Sequence, residues 1–201
     1  DLGYARVLAV RITYVGELGW ELVVPAEQAL HVHERIVEAG RGFGLAPVGL
    51  KALASLRLEK GYRDYGHDID NTDNPWEAGL GFALALDKPG GFIGRDAAAA
   101  QRATGPLQRR LLQIQLLDPE PLLFHAEVVW RDGVRVGYLR SASYGHTLGG
   151  AVGLAMIDAG QPLDAAWIAA GRWEVEIAGR RVAAKASLQP LYDPAMARVR
   201  G

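Results

Sequence analysis

The 201-residue chain has no cysteine, which excludes a disulfide framework, thiolate-bound zinc and a cysteine nucleophile. It also lacks a surplus of either charge. Twenty-two Lys and Arg stand against 23 Asp and Glu, so no global field draws it to nucleic acid or acidic lipid. No stretch approaches the ~20 consecutive apolar residues of a membrane helix, and no basic-then-apolar signal opens the chain. No Gly-x-Gly-x-x-Gly follows a strand pattern and no glycine-rich run ends in Gly-Lys-Ser/Thr, so neither a dinucleotide fold nor a P-loop is supported. Histidine is sparse, with five residues, and His31 and His33 would point apart on a helix; no metal site is expected. Ser141, Ser143 and His146 share one loop without the Gly-x-Ser-x-Gly elbow of a hydrolase, and read as a hydrogen-bonded turn. What remains is 49% hydrophobic and 22% charged, ordinary for a globular chain large enough to bury a core. The composition implies a soluble intracellular protein, cytoplasmic by default, without nucleic-acid or membrane partners.

Periodicity divides the chain in two. From Val7 to Tyr14 apolar and polar residues alternate, placing Leu8, Val10, Ile12 and Tyr14 on one face. A glycine-bounded turn follows, and Trp20 to Val24 resumes the extended pattern with Glu21 opposite Trp20, Leu22 and Val24. Pro25 to Gly40 reads as a helix whose buried stripe holds Ala29, Leu30, His33, Ile36 and Val37, with His33 at the core edge. A second helix is expected from about Pro47 to Lys60, a short strand over Leu80 to Leu86, and a third helix over Arg95 to Arg102. Thr104-Gly105-Pro106 is the strongest boundary signal. Beyond it the period becomes two: Arg109 to Leu117, Glu127 to Trp130, Val134 to Leu139, Gly150 to Met156, Trp173 to Ile177 and Val182 to Ala186. Asp132-Gly133 carries a type I′ turn signal. Short strands at this spacing predict a small antiparallel barrel or sandwich, so the class is α+β followed by all-β.

Four ordered segments carry a resemblance. They are Arg11-Ile12-Thr13-Tyr14-Val15-Gly16-Glu17-Leu18-Gly19-Trp20-Glu21-Leu22; Ser55-Leu56-Arg57-Leu58-Glu59-Lys60-Gly61-Tyr62-Arg63 with Gly66-His67-Asp68; Asn74-Pro75-Trp76-Glu77-Ala78-Gly79-Leu80-Gly81-Phe82 running on to Phe92-Ile93-Gly94-Arg95; and Ser141-Ala142-Ser143-Tyr144-Gly145-His146-Thr147-Leu148-Gly149 with a closing Pro190-Leu191-Tyr192-Asp193-Pro194. Over nearly the whole chain the sequence resembles the aminomethyltransferase (glycine-cleavage T-protein) family. The wording is most similar to the C-terminal folate region of the dimethylglycine and sarcosine dehydrogenases.

The resemblance implies the C-terminal part of an aminomethyltransferase folate-binding domain over residues 1–104, followed by the family's small antiparallel β-barrel domain over 105–201. It implies tetrahydrofolate as one-carbon acceptor, with Glu21 as the carboxylate that grips the pterin. A pterin presents a ring N–H beside an exocyclic amine, two parallel donors a carboxylate accepts bidentately. By the same resemblance Tyr14, Leu22, Val23 and Phe82 border the folate, and Tyr192 corresponds loosely to a C-terminal tyrosine; for Tyr14 and Phe82 core packing is an equal alternative. Arg57 and Arg63 stand either as partners of the folate glutamate tail or in ion pairs with Glu59 or Asp64. The glycine-cleavage proteins carry arginine where this chain has Leu53 and aspartate where it has Ala54, a departure toward the dehydrogenases. The family's catalytic aspartate precedes the Tyr14 hairpin and no catalytic residue is assigned here. FAD belongs to a further N-terminal domain of the dehydrogenases. The expectation is therefore the folate-accepting piece of a longer demethylating enzyme, with a catalytically silent folate-binding or scaffold paralogue as the alternative.

Overall fold

A computed structural model describes residues 1–201. Strands β1 (Leu8–Val10) and β2 (Glu21–Val23) pair antiparallel, with Leu8 opposite Val23 and Val10 opposite Glu21. Both are shorter than the alternation implied: Arg11 to Trp20 forms an irregular loop. The apolar face expected to be buried is open, with Leu8, Val10, Ile12 and Tyr14 all exposed, because a two-stranded ribbon has no third strand or helix over it. Helix α1 (Ala29–Gly40) also turns a different side inward. Val32 is its buried residue, whereas Leu30 and His33 are exposed. His31 is the histidine that packs, stacked on Tyr4 at 3.8 Å with Nε2 3.1 Å from the Leu2 carbonyl.

Helix α2 (Leu50–Glu59) falls within the expected span and α3 (Arg95–Ala103) matches it closely. The expected strand over Leu80 to Leu86 is instead a 3-10 turn at Gly81–Ala83. The chain folds back here over the Trp76 indole, where a Cβ on Gly81 would lie 2.6 Å from the ring. The indole N–H in turn donates to the Ala98 carbonyl at 2.9 Å, fastening α3 to this turn.

From Arg109 the chain builds a closed six-stranded antiparallel barrel, in the order β3-β6-β5-β4-β7-β8. Its strands are β3 (Arg109–Leu116), β4 (Val128–Arg131), β5 (Val134–Gly145), β6 (Gly150–Asp158), β7 (Trp173–Ile177) and β8 (Arg180–Ser187). The hairpin at Asp132-Gly133 takes positive φ at both residues (51° and 80°), as a type I′ turn requires. Inward side chains such as Leu112, Ile114, Val129, Leu139, Ile157 and Val175, each at most 0% exposed, fill the barrel. A short helix, α4 (Ala165–Ala170), closes one end and was not signalled by apolar periodicity; Asp164 caps it by accepting from the Trp167 N–H at 2.8 Å. The chain ends in a single turn, α5 (Ala197–Arg200).

Strand β6 reads as a continuous apolar run because it is covered twice. Every residue from Gly150 to Ile157 is buried. One face looks into the barrel. The other joins Leu111 of β3 and Leu58 of α2 in a second cluster with Val152, Leu154 and Met156. Burying Leu58 contributes about 1.5–3 kcal/mol, so α2 is held on the outside of the barrel by apolar contact before any polar group is considered.

Candidate functional site

The polar groups around α2 first explain what its motif does. Glu59 and Lys60 are buried, at 1% and 0% exposure. The Glu59 carboxylate accepts from the backbone N–H groups of Thr147 (2.7 Å) and Leu148 (2.8 Å) in the β5–β6 turn. The Lys60 ammonium donates to the Asp193 carboxylate and carbonyl, both at 2.7 Å. This cation and the hydrogen bonds to Ala197 and Arg198 hold the Asp193 carboxyl below its ordinary range. Gln113 on β3 donates to the carbonyls of Leu58 (2.6 Å) and Glu59 (2.9 Å), supplying partners to the orphan carbonyls at the end of α2. Leu-Glu-Lys-Gly is thus the clasp between helix, barrel and C-terminal segment.

A second set of charges lies beside it. Asp68, 0% exposed, pairs with Arg57 and accepts hydrogen bonds from the Ser141 hydroxyl and, at 2.8 Å, the Asp64 N–H. Asp73 pairs with Arg140 and with Arg109 at 2.8 Å, and Arg109 also reaches Glu77 at 2.9 Å. Burial alone would raise the Asp73 carboxyl, but hydrogen bonds from Arg140, the Asp70 N–H and Arg109 hold it low. Arg57 is therefore an ion-pair residue, through Asp68 rather than Glu59 or Asp64. Ser141 is not in a turn: it lies on β5. A bulge after Leu139 breaks the alternation, so that Arg140 and Ser141, consecutive in sequence, both reach the loop of residues 68–73.

Between this clasp and the hairpin opens a cavity of about 780 Å³, within the range of small-molecule sites. Tyr14, Tyr62, Tyr65 and Phe82 supply its aromatic lining and Leu80, Leu111 and Pro190 its aliphatic part. Tyr14 stacks near Tyr62, ring centres 6.3 Å apart, and its hydroxyl donates to the Arg63 carbonyl at 3.2 Å. Burial pushes the Tyr14 and Tyr62 hydroxyls up from their ordinary value. Phe82 is 86% exposed, so it stands at the rim rather than in a core.

Of the other expected site residues, Glu21 is exposed on β2 with no hydrogen bond or ion pair, and it does not line this cavity. Leu22 is half-buried and Val23 exposed beside it. The Tyr192 hydroxyl donates to Glu17 at 2.6 Å, which ties the hairpin loop to the C-terminal segment. Gly16, at φ 79°, lies so close to the Lys60 stem that a Cβ would meet it at 2.7 Å. Tyr14 and Phe82 thus meet in one cavity, while Glu21, Leu22 and Val23 form a separate patch on the ribbon. Two cavity residues, Arg110 and Tyr65, carried no signal in the sequence, since nothing local marks a side chain that lacks a partner.

Comparison with known proteins gives a consistent picture. Residues 1–88 match the GCVT N-terminal domain and residues 109–193 the glycine cleavage T-protein C-terminal barrel domain. The chain is 45% identical, over 99% of its length, to a 4-methylaminobutanoate oxidase (formaldehyde-forming) of Paenarthrobacter nicotinovorans, of which it covers 23%. It is 39% identical, over 97% of its length, to the mitochondrial sarcosine dehydrogenase of Mus musculus, of which it covers 21%. The chain therefore spans less than a quarter of the length of these relatives. The crystal structure of the glycine cleavage system aminomethyltransferase T of Bartonella henselae has the same fold, with a TM-score of 0.77 at 24% identity over 92% of this chain and 50% of that one. No helix is long and apolar enough to cross a membrane.

Proposed function

The chain belongs to the aminomethyltransferase (glycine-cleavage T-protein) family, and on that premise we propose that it is the tetrahydrofolate-binding, one-carbon-accepting portion of an FAD-dependent demethylating enzyme. Residues 1–104 form the C-terminal part of the folate domain and 105–201 the barrel that braces it. The names of two relatives, an oxidase of 4-methylaminobutanoate and a dehydrogenase of sarcosine, point to an N-methylated amino acid as the carbon source. Such an enzyme works in the cytoplasm or the mitochondrial matrix.

The observation that carries the reading is the match of residues 1–88 and 109–193 to the two domains of the family; within it Glu21 is the carboxylate the resemblance assigns to the pterin. Ion pairs or backbone N–H groups engage Glu59, Asp68 and Asp73, whereas Glu21 keeps both oxygens open on a strand whose edge is accessible. A carboxylate so placed accepts the two parallel donors of a pterin, and Leu22 and Val23 offer the ring an apolar border. Tetrahydrofolate, when bound, would supply two nucleophilic nitrogens, N5 and N10, close enough for a one-carbon unit at the oxidation level of formaldehyde to bridge. The chain's own contribution is positional: Glu21 fixes the pterin, Tyr14 and Phe82 give flat surfaces to the aromatic part, and the clasp keeps the hairpin loop in place. No residue of this chain is assigned a proton transfer or a redox step.

Calorimetric titration with tetrahydrofolate, comparing the chain with its Glu21→Gln variant, tests this. Removing a bidentate charge-assisted pair is expected to weaken binding roughly ten-fold or more. Equal affinities would remove Glu21 from the site. A chain that binds no tetrahydrofolate would instead be the scaffold paralogue, or part of an enzyme that releases its carbon as free formaldehyde.

A further inference from the structure

Two segments far apart in the chain share the wall of the cavity of about 780 Å³. Ile12, Thr13 and Tyr14 come from the hairpin loop, and Pro190, Pro194 and Met196 from the C-terminal segment. They are held in different ways. The C-terminal segment is fixed through its backbone and a buried charge. The Leu191 N–H donates to the Gln113 side chain at 2.6 Å, and the Tyr192 N–H to the Glu59 carbonyl at 3.4 Å. Asp193 takes the Lys60 ammonium on both its carboxylate and its carbonyl. Asp193 (φ 43°) and Met196 (φ 58°) stand in the left-handed region that residues other than glycine seldom enter, and such backbone persists only where its surroundings over-determine it.

The loop lacks that support. Residues 11–20 lie in no helix or strand, and no backbone–backbone hydrogen bond holds them. The ribbon that carries the loop is itself only two strands wide. The bonds from the loop to the rest of the protein all use side chains. The Tyr14 hydroxyl donates to the Arg63 carbonyl at 3.2 Å, Arg11 to the Val199 and Arg200 carbonyls at 3.4 and 3.0 Å, and the Tyr192 hydroxyl to Glu17 at 2.6 Å. The last is the shortest, and its acceptor is a carboxylate. Next to it Gly16 rests on the Lys60 stem with no room for a side chain. The Lys60–Asp193 pair thus fixes one segment and lays the seat for the other. A segment tied by a few side chains opens at a lower free energy than the fold around it.

We propose that residues 11–20 are a lid on this cavity, latched shut by the hydrogen bond between Glu17 and Tyr192, and that opening of the lid sets the rate at which ligand enters and leaves. The C-terminal segment is the fixed post and the loop the moving part. With tetrahydrofolate as the ligand, the proposal rests on the folate reading above and deepens it, because the lid carries Tyr14 and runs directly into Glu21 at the start of β2. Glu17 and Tyr192 need not touch the ligand. They are positioning residues, and they control its exchange rather than its affinity.

The test joins a measurement on the loop to one on the ligand. Tyr192→Phe removes the hydroxyl and keeps the ring beside the Lys60 ammonium. Brief trypsin digestion of the 201-residue chain, with cleavage of the Arg11–Ile12 bond followed by mass spectrometry, reports the population of the open loop. Cleavage there is expected to rise roughly five- to ten-fold in Tyr192→Phe, while the urea midpoint stays near that of the wild type. Stopped-flow mixing with tetrahydrofolate should show association and dissociation quickening together, with Kd nearly constant. Glu17→Ala should behave the same way, and Glu17→Gln, whose amide oxygen still accepts the phenol, should change less. Glu17→Ala combined with Tyr192→Phe should add nothing to either alone, since both break one contact. Unchanged cleavage in Tyr192→Phe overturns the latch, whether or not folate binds. Faster cleavage with unaltered tetrahydrofolate rates also overturns the proposal, because the loop then gates nothing. Faster dissociation alone does so too, since it makes Tyr192 a ligand contact. If the chain binds no tetrahydrofolate, the folate reading fails by itself; the lid is then upheld if cleavage rises in Glu17→Ala and less so in Glu17→Gln, and overturned if the two match the wild type.

Discussion

Replacing Asp68 with alanine tests how α2 and the following loop are held to the barrel. Asp68 is fully buried and serves three donors at once: the Arg57 guanidinium, the Ser141 hydroxyl and the Asp64 N–H. Arg57, 5% exposed, has two other partners, the Tyr62 carbonyl at 3.1 Å and the Ser141 hydroxyl at 3.0 Å, and neither is charged. Asp68→Ala therefore leaves a buried guanidinium without a counter-charge. Removing one partner of a buried pair costs about 3–5 kcal/mol, a large share of the ~5–15 kcal/mol that holds a typical domain. At about 2–4 °C per kcal/mol for a chain of this size, the melting temperature should fall by roughly 6–20 °C. Urea unfolding measured by tryptophan fluorescence reads the change directly. Arg57→Met combined with Asp68→Leu should recover only part of the loss, since it removes the unpaired charge but leaves the Ser141 hydroxyl and the Asp64 N–H without their acceptor. A loss below about 1 kcal/mol for Asp68→Ala would match a solvated surface pair and refute the role assigned to this contact.

Two further perturbations follow from the same architecture. Asp73 has a folded pKa below its ordinary 3.8, so its contribution is present above that value and disappears as pH falls through the lower folded pKa; Asp193 is shifted the same way. Stability attributable to these two should be flat near neutrality and fall only in acid, and an unfolding transition centred near pH 6–7 would assign the dependence to histidine instead. Gly137→Ala places a Cβ 2.3 Å from the Met156 carbonyl oxygen, where β5 crosses β6. Because that neighbour is backbone and cannot swing away, the variant should lose at least about 2 kcal/mol in chemical denaturation, and wild-type stability would show that the two strands have room to part.

Several elements could be read from local pattern because local forces set them. The period-two segments after Thr104 became barrel strands, and the Asp132-Gly133 hairpin took the backbone its residues favour. Helix α2 lies within the expected span of residues 47–60, and α3 matches the expected one closely. The errors share a cause. The alternating face of Leu8, Val10 and Ile12 and the stripe of α1 were assigned an interior from pattern alone, but a face is buried only if something covers it. The strand expected at Leu80 gave way to a turn because Gly79 and Gly81 allow the backbone to wrap the Trp76 indole, a tertiary contact that outweighs a short apolar run.

The sequence by itself determined which segments extend, which coil, where the barrel begins and which family the chain resembles, since each depends on residues within a few positions of one another. Only the tertiary structure decided what the charged motif does. Lys60 meets Asp193 across 133 positions and Ser141 meets Asp68 across 73, and the bulge that aims Arg140 and Ser141 the same way leaves no local trace. The tertiary structure also decided that Arg63 and Arg110 share one cavity, whereas Arg109 beside them is paired. A carboxylate or guanidinium looks the same in a sequence whether it is matched or free. Docking, through the burial of Leu58 and β6, is what assigns each charge its partner or leaves it open to a ligand.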